Sequence, residues 1–293
     1  MSNLRNNSFV PRIYPGVTTF MDRIYSGPRD NSFKKLISNL LEIGEVKNIY
    51  IEKLLSSDAI AFFGTAFTHP TASPDNNYEI LETLGDLTLN KCIGWYLPRR
   101  FPKIFCPEGK DILTRLKIGI IQTKGFAELA ESLGFWNFVS CDKDTRNSLV
   151  SKQKILEDVF ESVFGAIEWY IDSQYRIGTG YSVCYKIISK ILDKKEISLK
   201  YEDLVDAKTR LKEIFDIYAS NLGKIEYKKI ESENINEYKT VIYQHTIFNK
   251  IIEIGKGNSI SKIEAEKMAA EQALIYLQSN GYSKIPDKYK KFI

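Results

Sequence analysis

Apolar residues recur with a helical period through most of the first two thirds of the chain. Near its start, Phe33, Leu36, Ile37, Leu40 and Leu41 are spaced so that they share one face of a helix. The same period continues in four longer segments, at 79–97, 113–133, 154–172 and 182–192. Strand-like alternation is absent between residues 32 and 200, so this part of the sequence predicts an all-α domain.

The pattern changes in the last third of the chain, where a helix predicted over 206–221 comes first. Three β-rich runs follow it, at 225–230, 239–248 and 250–255. Asn249 provides a short turn between the second and third runs. The final predicted helix, 261–277, has a face that suits close packing on a sheet. The residues of that face are Ala265, Met268, Ala269, Ala270, Ala273 and Leu274. The order α-β-β-β-α predicts an α+β module in a multidomain chain.

Breaks in these patterns divide the chain into five segments. Prolines and glycines interrupt every period near the N-terminus, and charged residues without a strong period separate the helical domain from the α+β module. The predicted segments are an N-terminal extension at 1–31, the helical domain at 32–193, a linker at 194–205, the α+β module at 206–278 and a basic tail at 279–293. The tail lysines are interpreted as solvated, with the alternative that they supply charge that the α+β module lacks.

Composition limits the chemistry and the location of the protein. The 293 residues include 41 basic and 37 acidic side chains, and the formal charge of +4 is too small to indicate a broad basic surface. Two histidines, His69 and His245, leave little room for zinc sites or histidine relays, and the four cysteines form no C-x-x-C pair. The N-terminus is polar, and no apolar run is long enough to span a membrane. We therefore expect a soluble, intracellular, cytoplasmic protein without a membrane partner.

Two of the predicted helices carry several carboxylates on one face. Glu79, Glu82 and Asp86 follow one another at i, i+3 and i+7, and Asp158 and Glu161 repeat the i, i+3 spacing. These offsets place the side chains of each helix on one stripe. If the two stripes face each other, they form a site for hard divalent cations, which prefer oxygen ligands and support in-line displacement at phosphorus. Each stripe alone is more often the solvated edge of an amphipathic helix than a metal site.

The residues beside these carboxylates indicate close packing. Gly85 precedes Asp86 and removes a side chain where another group can approach closely, and Gly165 follows Glu161 by one turn. The first helix also has an apolar side that is predicted to border a core. Its members are Ile80, Leu81, Leu84 and Leu87.

Four segments of the sequence resemble the ribonuclease III family. Residues 78–86, Tyr-Glu-Ile-Leu-Glu-Thr-Leu-Gly-Asp, are similar to its E-x-L-E-x-L-G-D helix, and residues 66–71, Ala-Phe-Thr-His-Pro-Thr, are similar to the A-[LF]-T-H segment before it. Residues 155–167 resemble its second metal-binding helix, D-x-x-E-A-x-x-G-A. The start and end of the α+β module, at 206–211 and 265–274, resemble a double-stranded RNA-binding domain.

The resemblance implies the simple type of this family, an all-α ribonuclease III endonuclease domain followed by one α+β double-stranded RNA-binding domain. The implied magnesium ligands are Glu82, Asp86, Asp158 and Glu161. Manganese is expected to substitute for magnesium. Asp86 and Glu161 would act most directly on the attacking water and the scissile phosphate. Glu79 and Glu108 match further acidic positions of the family. At these positions the side chains would support the metal ligands without binding the metal themselves.

The RNA-binding positions of the family are only partly kept. Lys262 retains one place in the lysine cluster that opens the last helix, whereas Ile263 and Glu264 stand where basic residues are usual. Lys212 matches a first-helix position that touches the minor groove, and Lys267 is a further candidate. Fewer phosphate contacts imply weaker binding of double-stranded RNA with a smaller salt dependence.

The resemblance leads to one main hypothesis and one alternative. The main hypothesis is an endoribonuclease that hydrolyses double-stranded RNA to 5′-phosphate products with short 3′ overhangs. It would act as a homodimer through the catalytic domain, although the aromatic residue that often packs into the partner subunit is Thr83 here. The alternative is a non-catalytic protein that binds or sequesters double-stranded RNA, or a ribonucleoprotein component.

Overall fold

The computed structural model describes residues 23–230 and 237–292, which form two compact units. The first unit contains the described chain up to Cys92 together with Gln122–Lys190. The second contains Ile93–Ile121 together with the described chain from Ile191 onward. Most of the predicted N-terminal extension, residues 1–22, lies outside the described residues.

The described chain is mostly helical. Its helices are α1 (Asn31–Ile43), α2 (Asn48–Leu54), α3 (Ser57–Thr65), α4 (Glu79–Arg100), α5 (Lys110–Ile121), α6 (Thr123–Ser132), α7 (Lys143–Asn147), α8 (Leu149–Gln174), α9 (Thr179–Asp193), α10 (Tyr201–Leu204), α11 (Ala207–Ile217), α12 (Ala219–Leu222), α13 (Lys262–Ser279) and α14 (Asp287–Lys290). Its strands are β1 (Ile24–Tyr25), β2 (Cys141–Asp142), β3 (Lys224–Ile230), β4 (Tyr238–His245) and β5 (Ile251–Ser259). None of these helices is both long and apolar enough to cross a bilayer.

Helix α8 lies at the centre of the first unit. Ser148 caps its N-terminus by accepting a hydrogen bond from the Ser151 amide (3.2 Å), and all side chains from 155 to 167 are buried. A helix buried on every side needs neighbours all round. One of them is α6, where the rings of Phe126 and Phe160 lie 5.0 Å apart. The predicted helix at 154–172 is thus confirmed, and it extends further at both ends.

Two predictions for the helical part of the chain were wrong. The helix predicted at 113–133 is two helices, α5 and α6, because the backbone of Gln122 is extended (φ −57°, ψ 146°). The predicted absence of strands between residues 32 and 200 fails at β2, which pairs antiparallel with β1 so that Asp142 lies opposite Ile24. Strands of two residues are too short to produce an alternating pattern in the sequence.

Arg29 fastens the segment before α1 to the first unit. Its guanidinium donates hydrogen bonds to the carbonyl oxygens of Phe138 (2.7 Å) and Gly64 (3.1 Å), and it lies 4.8 Å from the centre of the Phe33 ring. Burial lowers the pKa of Arg29 to about 10, which still leaves it charged at neutral pH. The part of the predicted extension that the structure describes therefore packs against its neighbouring domain.

In the second unit, α11 and α13 cover one face of an antiparallel sheet with the strand order β3-β4-β5. The core between helices and sheet includes Leu211, Phe215, Ile242, Ile254, Ala269 and Ala273. Gly255 and Gly257 let α13 lie close to β5, since a Cβ on either would come within 3 Å of the α13 backbone. The predicted α-β-β-β-α order is confirmed.

Some details of this module differ from the prediction. Met268 was placed on the buried face of α13, but 43% of its surface is exposed. Asn249 has the left-handed backbone (φ 57°) that suits a tight turn, as predicted. However, β4 ends at His245, three residues before the predicted end, because residues 246–250 are used by the turn.

The C-terminal tail packs within the second unit, although lysines of the tail stay about half exposed. Tyr289 of α14 is buried, with its ring 5.0 Å from the ring of Tyr201 in α10. Lys288 forms an ion pair with Glu213 (2.8 Å), and Lys291 forms one with Glu108 (3.4 Å). Aromatic burial therefore holds the tail in place, and its half-exposed lysines add ion pairs.

Candidate metal centre

Helices α4 and α8 cross with their backbones in close contact. Gly85 and Gly165 lie at the crossing, and a Cβ on either would overlap a backbone carbonyl of the other helix. Each such Cβ would also lie 2.9 Å from the backbone nitrogen of the other glycine. The close approach predicted at Gly85 is confirmed. It brings the carboxylates of the two helices toward each other.

Three of the four predicted ligands form a compact cluster at this crossing. One oxygen from each of Glu82, Asp158 and Glu161 lies within 4.8 Å of the other two. Asp158 exposes 7% of its surface and Glu161 exposes 8%, whereas Glu82 is partly exposed. The three groups come from two helices that are far apart in the sequence.

The other two acidic residues that were predicted on α4, Asp86 and Glu79, do not belong to this cluster. Asp86, the fourth predicted ligand, accepts a hydrogen bond on Oδ1 from the Asn90 side chain (2.6 Å) and is not one of the clustered three. Its charge still acts on Glu161, because it contributes to the raised pKa of that group. Glu79 is exposed in the first turn of α4.

Both oxygens of the Asp158 carboxylate have partners. The buried hydroxyl of Tyr78 donates a hydrogen bond to Oδ2 (3.1 Å), and the ammonium of Lys154 lies 2.6 Å from Oδ1. Lys154 also pairs with Glu157 (3.1 Å), a further buried carboxylate on α8. Burial opposes the charge of Lys154, but its contacts with Asp158 and Glu157 raise its pKa above the ordinary value.

Burial and mutual repulsion act on two carboxylates of the cluster in spite of the nearby Lys154. Burial, followed by the charges of Asp86, Glu157 and Glu82, raises the pKa of Glu161 to about 8. Burial and the charge of Asp158 also raise the pKa of Glu82. Carboxylate oxygens are the ligands that magnesium prefers. A divalent ion would neutralise the like charges that the fold holds together, so this donor set fits the magnesium that the resemblance implies.

Sequence reasoning missed three of the residues around the cluster, Tyr78, Lys154 and Glu157. Lys154 was detectable, since it precedes Asp158 by four residues and would meet it on a helix. Tyr78 carried no such signal, because its contact with Asp158 joins residues 80 positions apart. Only the packing of α4 against α8 brings them together.

The remaining predicted site residues lie in the second unit. Glu108 is exposed and paired with Lys291 in that unit. Lys212 is exposed on α11. Lys262 lies 3.8 Å from Glu266, and Lys267 lies 3.2 Å from Glu264, so the two predicted RNA-binding lysines of α13 both have acidic neighbours.

Comparison with known proteins connects this site to a family. The family described as Ribonuclease III domain matches residues 79–174, which include both carboxylate helices. A protein of Invertebrate iridescent virus 6 is 36% identical over 285 residues, covering 92% of this chain and 96% of its own length. A protein named Ribonuclease 3 from Halalkalibacterium halodurans is 31% identical over 221 residues, covering 72% of this chain and 77% of its own length.

A solved structure was also matched. The nuclease domain of ribonuclease III from Campylobacter jejuni is 23% identical, with a TM-score of 0.42, over 55% of this chain and 98% of that domain. The identity and the coverage of the two relatives decide the assignment. The chain belongs to the ribonuclease III family.

Proposed function

We propose that the protein is a magnesium-dependent endoribonuclease that hydrolyses double-stranded RNA to products with 5′-phosphates and short 3′ overhangs. The observation that carries this proposal is the cluster of Glu82, Asp158 and Glu161, in which Asp158 and Glu161 are buried. Buried like charges are costly unless a counter-charge is present, and a site of oxygen donors alone selects a hard divalent ion. Membership of the ribonuclease III family supplies the reaction class, cleavage within an RNA chain.

Each carboxylate has a place in this proposal. Glu82, Asp158 and Glu161 would hold metal from the two crossing helices, and Asp86 would join them by exchanging its hydrogen bond from Asn90 for the ion. Bound magnesium would supply an activated water and stabilise the leaving 3′-oxygen. Asp86 and Glu161 are proposed to lie nearest to that water and to the scissile phosphate. Glu79 would influence the cluster through its charge, since it contributes to the raised pKa of Glu82, and Glu108 stays a proposed supporting position.

The α-β-β-β-α module is proposed to bind the duplex by its shape. Such modules contact 2′-hydroxyls and phosphates rather than base edges. The exposed Lys212 is one proposed contact, and Lys262 and Lys267 are two more. Because both of the latter have acidic neighbours, contact with phosphate requires them to exchange one partner for another. We therefore expect modest affinity.

The active species is proposed to be a homodimer formed through the first unit. Ile80 and Leu87 were expected to border a core, but 73% and 65% of their surfaces are exposed on α4. Leu87 lines a groove with the exposed Trp169 and Ile177. Apolar surface of this kind marks protein interfaces. A Leu87→Glu variant should sediment as a monomer under conditions in which the wild-type protein is a dimer.

Cleavage of a long, end-labelled RNA duplex tests the function. Wild-type protein with magnesium should shorten the duplex and leave the same sequence intact as a single strand, and Glu161→Gln should abolish cleavage at equal RNA binding. No cleavage by the wild type, or equal cleavage by the variant, would refute the proposal. Tight duplex binding in EDTA without turnover in magnesium would instead favour the non-catalytic binder.

A further inference from the structure

The segment Ala66–Thr71, which resembles a family motif but has no role in the cluster itself, leads directly to the Asp158 carboxylate. We propose that Tyr78, supported by His69 and Thr71 of this segment, is a positioning residue that holds Asp158 in its metal-binding orientation. The inference rests on the proposed function, since it concerns the same metal centre.

The contacts begin at the backbone of β2. The Asp142 amide donates a hydrogen bond to Oγ1 of Thr71 (3.1 Å), and this oxygen lies 2.8 Å from Nδ1 of His69. The Thr71 amide also donates to Nδ1 (3.1 Å). The amide and the hydroxyl of Thr71 thus both contact Nδ1, and these contacts hold the imidazole ring in place. Its orientation is therefore set by the backbone around β2.

The imidazole in turn fixes the phenol. The rings of His69 and Tyr78 meet edge to face, with centroids 5.7 Å apart and an interplanar angle of 77°. The Tyr78 amide donates a hydrogen bond to the carbonyl of Thr68 (3.0 Å), so the same segment holds its backbone. Tyr78 exposes 3% of its surface. Its hydroxyl thus has little freedom and points at Oδ2 of Asp158.

The two carboxylate oxygens of Asp158 have different partners. Oδ2 accepts the hydrogen bond from Tyr78, whereas Oδ1 faces the cationic Lys154 and lacks a well-formed hydrogen bond. A carboxylate fixed through Oδ2 cannot rotate freely, and Oδ1 would bind a metal ion in exchange for its contact with Lys154. Hydrogen bonds behind metal ligands act in this way, and their loss typically weakens metal binding about 10- to 100-fold.

The test removes one hydroxyl from the full-length protein and measures metal binding without RNA. Tyr78→Phe keeps the ring that packs on His69 and deletes only the hydrogen bond to Asp158. We expect Mn²⁺ to bind about 10-fold more weakly by titration calorimetry. The Mg²⁺ concentration for half-maximal duplex cleavage should rise by a similar factor, and the rate at saturating Mg²⁺ should stay within about 3-fold of the wild-type rate, since the ligands themselves are intact.

Tyr96→Phe is the matched control. Tyr96 is also buried, and its hydroxyl donates to a carboxylate oxygen of Asp193 (2.8 Å), which is not a proposed ligand. This variant should bind Mn²⁺ like the wild type. Equal Mn²⁺ affinity in Tyr78→Phe and wild type would overturn the inference, even if both cleave RNA. Weaker Mn²⁺ binding by Tyr78→Phe, with no RNA cleavage by the wild type, would support the inference and refute the proposed function.

Discussion

The crossing of α4 and α8 predicts that a single methyl group can disrupt the carboxylate cluster. In Gly85→Ala, the new Cβ would overlap the carbonyl oxygen of Glu161 and lie 2.9 Å from the Gly165 nitrogen. Relief of that overlap requires the helices to separate by roughly 1 Å. Glu82 is on one helix, and Asp158 and Glu161 are on the other, so the separation directly widens the cluster.

The expected cost follows from the packing. Overfilling a well-packed contact lowers the free energy of unfolding by about 1–3 kcal/mol. The higher helix propensity of alanine offsets at most about 1 kcal/mol of this loss. We therefore expect Gly85→Ala to lower the free energy of unfolding by about 2 kcal/mol. Metal–oxygen distances tolerate deviations of only about 0.2 Å, so Mn²⁺ affinity should fall at least 10-fold.

Gly94→Ala is the control for this experiment, since Gly94 is also in α4 and has open space where its Cβ would be. Urea denaturation should show this variant to be as stable as the wild type or up to about 1 kcal/mol more stable. Calorimetry should show unchanged Mn²⁺ affinity. If Gly85→Ala matched Gly94→Ala in both measurements, the reasoning about the helix crossing would be refuted.

Three further predictions concern charged groups of the first unit. The pKa of Glu161 is raised above its unfolded value to about 8, so its stabilising contribution is present below pH 4.5 and is lost as the pH rises through 8. The metal-free protein should lose stability over that interval, and Mn²⁺ affinity should increase up to pH 8; a flat calorimetric pH profile for the wild type would contradict this. Lys154→Met should lower metal-free stability by about 1 kcal/mol and enlarge the rise in melting temperature on adding Mn²⁺, since Asp158 loses its cation; an unchanged rise would count against it. Arg29→Met should cost about 2 kcal/mol in urea unfolding, because the carbonyls of Phe138 and Gly64 lose their donor, and a loss below 0.5 kcal/mol would show that these bonds contribute little.

Periodicity and spacing predicted most of the helices and the carboxylates that share a helix face. Long helices such as α8 were readable because their apolar positions repeat over several turns. The carboxylates were readable because i, i+3 spacing places them on one face before any tertiary structure is known. The close approach at Gly85 was predictable because a glycine inside a helix lowers stability, and close packing explains why it is there.

The features that were not predicted depend on contacts between segments that are distant in the sequence. The hydrogen bond from Tyr78 to Asp158 exists only because α4 and α8 cross. Ile80 and Leu87 fit the helical period, but the period does not show whether an apolar stripe meets a core or solvent. The burial of Tyr289 was not predicted either, because the lysines around it indicated a solvated tail.

In the proposed mechanism, Glu82, Asp158 and Glu161 together hold the metal on which the reaction depends. Anomalous diffraction from crystals grown with Mn²⁺ tests this claim most directly. We predict a peak within about 2.2 Å of an oxygen from each of the three carboxylates. A well-occupied peak elsewhere in the protein, with these carboxylates empty at saturating Mn²⁺, would contradict the account.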